Sequence, residues 1–84
     1  MNKITVYSTD RCPYCRQAMA LLDERDLAYE EVDLSKDEGG RQRLVGLTGM
    51  MTFPQVVIGE HLVGGFTELL AASRSGLLLE LAGH

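Results

Sequence analysis

The chain has two cysteines, and they stand three positions apart in Cys12-Pro13-Tyr14-Cys15. At the start of a helix, side chains at that spacing lie on one face one turn apart, so the two sulfurs can close into a disulfide and reopen with little backbone movement. Such a pair suits a reversible two-electron switch. The switch needs an accessible thiolate and a protected thiol that resolves the mixed disulfide formed on the first. Free N–H groups and the helix dipole at a helix N-terminus favour a negative sulfur, and can bring a thiol pKa from about 8.5 to between roughly 3.5 and 7.5. Cys12 is therefore expected to be the nucleophile, with Arg11 and Arg16 adding positive potential that Asp10 partly offsets. Cys15, on the apolar stripe with Met19, is expected to be more buried and to act as the resolver.

The same spacing supplies two of the four ligands of a zinc site. The other soft ligands, His61 and His84, lie too far apart in sequence for the usual second half, and each reads more simply as a solvated residue. No metal is expected. A lone pair closing so small a loop is a poor structural staple, which leaves redox or metal chemistry in a reducing compartment.

The elements that must position the pair follow from pattern. Ile4-Thr5-Val6-Tyr7 is a short β-rich run ending in turn residues, and from Pro13 to about Arg25 the apolar positions Cys15, Ala18, Met19 and Leu22 recur at helical spacing. Pro13 fits the first helical position, where its missing N–H is no loss. Leu27 to Leu34 alternates imperfectly and carries enough acid to suggest an edge strand. Ser35-Lys36-Asp37-Glu38 has capping-box spacing for a second helix running to about Leu47 and capped by Gly49, with Gly39-Gly40 weakening its first turns. Gln55–Ile58 and His61–Val63 flank Gly59-Glu60, a Gly-first connection suited to a type II′ hairpin. Thr67 is a candidate N-cap for a helix over Glu68 to Ser73, interrupted at Arg74-Ser75-Gly76 before a last helical turn or two over Leu77 to Leu81. The order β-α-β-α-β-β-α gives an α/β fold. A right-handed βαβ crossover and the hairpin build one mixed four-stranded sheet with helices on both faces and Cys12 at the carboxyl end of the first strand.

Length and composition, 84 residues with 45% apolar, predict one small globular domain over residues 1–84. Its formal charge of −4, twelve acids against eight bases, argues against a nucleic-acid partner. Met1 to Tyr7 turns polar too soon for a secretory leader and no stretch approaches a membrane span, so a cytoplasmic monomer with no membrane partner is expected.

Three motifs occur in order: Cys12-Pro13-Tyr14-Cys15 after a Tyr-Ser strand end, Thr52-Phe53-Pro54-Gln55, and Gly64-Gly65-Phe66-Thr67-Glu68. Together they resemble the short bacterial dithiol glutaredoxins of the thioredoxin superfamily, over almost the whole chain. The resemblance implies a thioredoxin fold, glutathione as co-substrate, and reduction of protein disulfides and especially of protein–glutathione mixed disulfides. It also implies a cis Phe53-Pro54 bond, with the Phe53 backbone offered to the cysteine of glutathione. The free N–H groups of the helix opening at Thr67 would hold the γ-glutamyl carboxylate. Beside the catalytic Cys12 and Cys15, the implied glutathione site comprises Arg11, Tyr14, Thr52, Phe53, Pro54, Gly65, Phe66 and Thr67. Taken singly, Phe53 also reads as core packing, Tyr14 as a solvated aromatic, and Gly64-Gly65 as a hairpin exit before an ordinary cap.

The chain departs from that family pattern in places. Many glutaredoxins carry Lys at the position of Thr9 and Arg or Lys near Met50-Met51, where they help hold the glycyl carboxylate of glutathione. Asp often stands in place of Thr67 and Val in place of Phe53. Arg11, Arg41 and Arg43 are the candidates to replace the missing charge. The departures favour a second reading, a glutaredoxin-like redoxin reduced by thioredoxin reductase and donating electrons to ribonucleotide reductase, although Tyr14 and Gly64 to Thr67 speak against it. A third reading is a dimeric iron–sulfur carrier bridging a cluster through Cys12 and glutathione. Pro13 and Cys15 favour disulfide chemistry over it.

Overall fold

The computed structural model describes residues 2–83. Its elements are β1 (Ile4–Ser8), α1 (Pro13–Glu24), β2 (Glu30–Asp33), α2 (Glu38–Thr48), β3 (Gln55–Ile58), β4 (His61–Gly64), α3 (Phe66–Ser75) and α4 (Leu77–Ala82). The strands form a four-stranded sheet in the order β2-β1-β3-β4. β1 runs parallel to β2 and antiparallel to β3, and β3 runs antiparallel to β4. This is the mixed sheet with helices on both faces that the pattern predicts.

Alternation in β1 explains which side carries the core. Ile4, Val6 and Ser8 are buried while Thr5 and Tyr7 are half-covered. Ile4 and Val6 join Val56 and Ile58 of β3, Ala18 and Leu22 of α1, Leu69 and Ala72 of α3, and Leu78 and Ala82 of α4 in one apolar cluster. In α2 the single buried residue, Leu44, lies outside that cluster. At the far end of β1, Asn2 ties α4 down, its N–H donating to the Ala82 carbonyl (3.1 Å) and its amide to that of Leu81 (2.7 Å).

Boundaries differ from the expected ones where local chemistry overrides the pattern. β2 is shorter than Leu27–Leu34 and lies at the sheet edge, as its acids suggest. α2 begins after Asp37, not at Ser35, because the Asp37 carboxylate accepts the Gly40 N–H (2.9 Å) while the Ser35 N–H is taken by Asp33 (2.9 Å). α3 begins two residues earlier than expected: Gly65 is the N-cap, Thr67 lies inside the first turn, and the Glu68 carboxylate reaches back to the Gly65 N–H (2.8 Å). Gly76, at φ 85°, ends α3 and separates it from α4, which accounts for the expected interruption. In the hairpin turn Gly59 takes φ 61° while Glu60 does not, as a Gly-first turn requires. His84, one of the two histidines weighed as metal ligands, lies outside the described residues.

Candidate redox site

The site is built where β1 ends and α1 begins. Arg11 takes a left-handed φ of 52°, uncommon for a residue with a side chain, and the chain turns there so that Cys12 becomes the N-cap of α1. Pro13 follows as the first helical residue. Cys12 and Cys15 are joined as a disulfide with their Cα atoms 5.3 Å apart. The Cys15 N–H donates to Cys12 Sγ at 3.2 Å, so this sulfur occupies the place where a capping oxygen sits in other helices. The two sulfurs differ in cover as anticipated: Cys12 is half-buried and Cys15, aligned with Ala18 and Leu22 on the inner face of α1, is 2% exposed.

The second motif reaches the first from across the fold. Phe53-Pro54 is a cis peptide, and the Phe53 carbonyl oxygen lies 3.6 Å from Cys12 Sγ. Pro54 is buried at the head of β3 while Phe53 is half-exposed and Thr52 exposed. Gly65 closes the far side of this groove: a Cβ placed on it would stand 3.6 Å from the Pro54 carbonyl oxygen. Tyr14, 59% exposed, stacks on Phe66 with ring centroids 6.0 Å apart and 29° between planes, forming an aromatic wall between α1 and α3. Cys12, Tyr14, Phe53, Pro54, Gly65 and Phe66 are thus drawn together from three separate stretches of chain. Thr67 sits in the first turn of α3, beside an N-terminus of which one N–H, that of Gly65, is already bound by Glu68.

The basic candidates are placed differently. Arg11 and Arg16 border a cavity of about 200 Å³ that also takes in Ser8, Cys12, Cys15 and Glu31. Arg41 donates to the Leu34 carbonyl, which commits one guanidinium nitrogen to the end of β2, and Arg43 is exposed on α2. Met51 and Leu47, ahead of the Phe53-Pro54 turn, are 82% and 86% exposed. His61 is exposed on β4, and among the described residues no three His, Cys, Asp or Glu side chains converge as a metal site.

One residue that positions the site was not singled out from the sequence. Gln55 is fully buried, accepts the Thr48 hydroxyl (2.8 Å), and donates to the carbonyls of Met50 (3.0 Å) and Thr52 (3.2 Å). Its amide thereby fixes the segment that carries Phe53 and Pro54. A lone polar residue opening the apolar run Val56-Val57-Ile58 was the signal.

Comparison with known proteins agrees with this arrangement. The family model described as Glutaredoxin matches residues 4–63. The glutaredoxin of Pseudomonas aeruginosa is 36% identical over 78 residues, covering 93% of this chain and 93% of the relative. Among solved structures, the solution structure of glutaredoxin from Brucella melitensis superposes with a TM-score of 0.84 at 35% identity, covering all of this chain and 94% of that one. The crystal structure of a buckwheat glutaredoxin–glutathione complex gives a TM-score of 0.88 at 28% identity, covering 96% of this chain and 76% of that one. No described helix is long and apolar enough to cross a membrane. A family match over most of the chain, with relatives above a third identical along nearly their full length, makes this chain a member of the glutaredoxin family of thiol–disulfide oxidoreductases.

Proposed function

We propose that the protein reduces mixed disulfides between proteins and glutathione, and protein disulfides, with glutathione as its reductant. Cys12 acts as the nucleophile and Cys15 as the resolver. In this reading the Cys12 thiolate attacks the glutathionyl sulfur, the target leaves as a thiolate and takes up a proton, and glutathione is left bonded to Cys12. A second glutathione thiolate then attacks that sulfur and releases oxidised glutathione, or Cys15 attacks Cys12 and releases reduced glutathione. The observation that carries the proposal is the setting of Cys12 Sγ, which receives the Cys15 N–H at 3.2 Å and faces the Phe53 carbonyl at 3.6 Å. The donor favours a thiolate, and the carbonyl marks where a peptide-like ligand would be read by backbone.

Around it, the Phe53 backbone would pair with the cysteine of glutathione and Thr52 and Pro54 would shape that contact. Gly65 would leave room for the ligand, and Tyr14 and Phe66 would line one wall. The N–H groups of Phe66 and Thr67 would hold the γ-glutamyl carboxylate, with Glu68 competing for that end of α3. Arg11 would contribute charge from the cavity side. A structural relative described as a glutathione complex supports the ligand, and a reducing compartment such as the cytoplasm fits a dithiol that must return to its reduced state.

A second reading has an observation of its own. Thr9 and Met51 stand where basic residues hold glutathione in many relatives, and exposed Met51 and Leu47 give that rim an apolar surface suited to a protein donor. Reduction of the oxidised protein by glutathione, compared with reduction by thioredoxin reductase and its cofactor, separates the two. Faster reduction by glutathione is the expected result, and efficient reduction by thioredoxin reductase alone would replace the first reading with the second.

A further inference from the structure

On the side of the dithiol away from Phe53, the cavity of about 200 Å³ brings Cys15 to the same opening as Glu31. Glu31 stands opposite Val6 in the β1–β2 register, so it shares a face of the sheet with Val6 and Ser8, at the sheet edge where it stays exposed to solvent. The Ser8 hydroxyl, itself 2% exposed, donates to Glu31 Oε2 at 2.8 Å and holds the carboxylate in place. Among the described residues the one ion pair is Lys3–Glu30, so no lysine or arginine neutralises Glu31. Asp10, Arg11 and Arg16 border the same cavity, and Tyr29, Glu30 and Asp33 are the other titratable groups on or beside β2. A buried serine needs a partner, and a charge on an edge strand discourages edge pairing. Neither purpose requires that the carboxylate share an opening with a buried cysteine.

We propose that Glu31, held by Ser8, accepts the proton of Cys15 when Cys15 resolves a mixed disulfide on Cys12. The inference rests on the dithiol reading above. A cavity of this size has room for several waters, each taking about 30 Å³ of liquid volume, so the carboxylate can act across it without touching the sulfur. In the step, the Cys15 proton passes to the Glu31 carboxylate and the Cys15 sulfur attacks Cys12 Sγ. The bond between Cys12 and the departing sulfur breaks, and its electron pair leaves on that thiolate, which takes up a proton from solvent as Glu31 returns its own. One disulfide forms and one breaks, with no outside oxidant or reductant. Glu31 is a positioning residue in this step, acting on Cys15 from the far side of the cavity.

The test mixes reduced protein with bis(2-hydroxyethyl) disulfide and follows the two thiols released in a single turnover, the first by Cys12 attack and the second by Cys15 resolution. Glu31→Gln should slow the second release by about tenfold, less than the roughly hundredfold or more of a directly placed general base because water can substitute, and leave the first release at its original rate. Its second step should also climb with hydroxide concentration to a higher pH than in the unmodified protein, and Glu31→Asp should restore most of the rate. Equal second-step rates in Glu31→Gln and the unmodified protein would overturn the proposal. So would equal slowing of both steps with a lowered melting temperature, which is the mark of a purely structural carboxylate. Unmodified protein that releases the first thiol but never the second would overturn the dithiol reading itself, a result distinct from either.

Discussion

The two flanks of Cys12 are built from different materials. Toward Phe53, Gly65 and Phe66 the site offers carbonyls, N–H groups and aromatic faces, and its shape is held from behind by the buried amide of Gln55. Toward β2 it offers side-chain charge, from Asp10, Arg11, Arg16 and Glu31, around an open cavity. Backbone groups fixed by a buried network have one geometry and read shape, whereas charged side chains facing water are screened and adaptable, and serve proton traffic and steering. One flank is therefore suited to recognising a ligand and the other to managing the charge of the sulfurs. Substitutions on the two sides should fail in different ways.

The largest effect belongs to the atom between them. Cys12→Ser should abolish turnover, while Cys15→Ser should keep reducing glutathione mixed disulfides by a route that needs one sulfur. Measured turnover of both variants on a glutathionylated peptide checks this, and appreciable activity in Cys12→Ser would exchange the two roles.

Next comes the support of the recognition flank. Gln55→Met keeps the side-chain volume but removes both donors to the Met50 and Thr52 carbonyls and the acceptor for Thr48. Leaving buried polar groups unpaired costs about 1–3 kcal/mol, and the loop carrying Phe53 loses its anchor. The expected outcome is a lower melting temperature together with a raised Michaelis constant for glutathione, read by thermal denaturation and steady-state kinetics. A change on the charged flank, such as Arg16→Ala, should leave stability nearly untouched. If Gln55→Met melts like the unmodified protein, the amide is not what holds this flank.

The contrast also marks how much of the molecule could be read from its sequence. Strands, helices and the edge position of β2 were legible because apolar spacing reports them, and the asymmetry of Cys12 and Cys15 followed from their places in a helix start. Gln55 was passed over since its partners Thr48, Met50 and Thr52 meet it only through a loop whose path no periodicity encodes. A hydroxyl is the commoner cap and points to Thr67, but Glu68 satisfies the Gly65 N–H from inside the first turn and the helix starts earlier. Glu31 read as an ordinary edge-strand acid, and its closeness to Ser8 depends on the β1–β2 register.

Smaller effects come from adding the charge that many relatives carry. Met51→Arg places a cation on the exposed rim next to Thr52, where solvent screening reduces the ~1.5–3 kcal/mol of a charge-assisted hydrogen bond to a few-fold fall in the Michaelis constant for glutathione. Thr9→Lys should do less. Thr9 lies against Asp10, its hydroxyl 3.5 Å from a carboxylate oxygen, and the new ammonium would be drawn to that carboxylate first. Equal gains from the two substitutions would mean that the ligand's carboxylate lies between the flanks instead of on the recognition side. No gain from either, with a loss in Arg11→Ala, would mean that the cavity side already supplies the cation.

The smallest expected effect separates the two acids of β2. Asp33 and Glu31 lie two residues apart on one face of the strand and both are exposed, but the Asp33 carboxylate accepts the Ser35 N–H at 2.9 Å whereas that of Glu31 accepts the Ser8 hydroxyl. That backbone hydrogen bond, with help from the Ser35 side chain and the nearby Lys36, holds the Asp33 carboxyl below the usual carboxylate range. A carboxyl lowered by folding stabilises the fold above its unfolded value of about 3.9, and that contribution disappears as pH falls through the folded value. Asp33→Asn should therefore melt slightly below the unmodified protein at neutral pH, and the gap should close in acid below about pH 4. Turnover and its pH profile should stay as they were, since the charge of Asp33 is spent on its own turn. A variant that instead shifted the pH dependence of the resolving step would show that Asp33 also contributes to the field at Cys15, and would remove the distinction between an acid that shapes β2 and one that serves the dithiol.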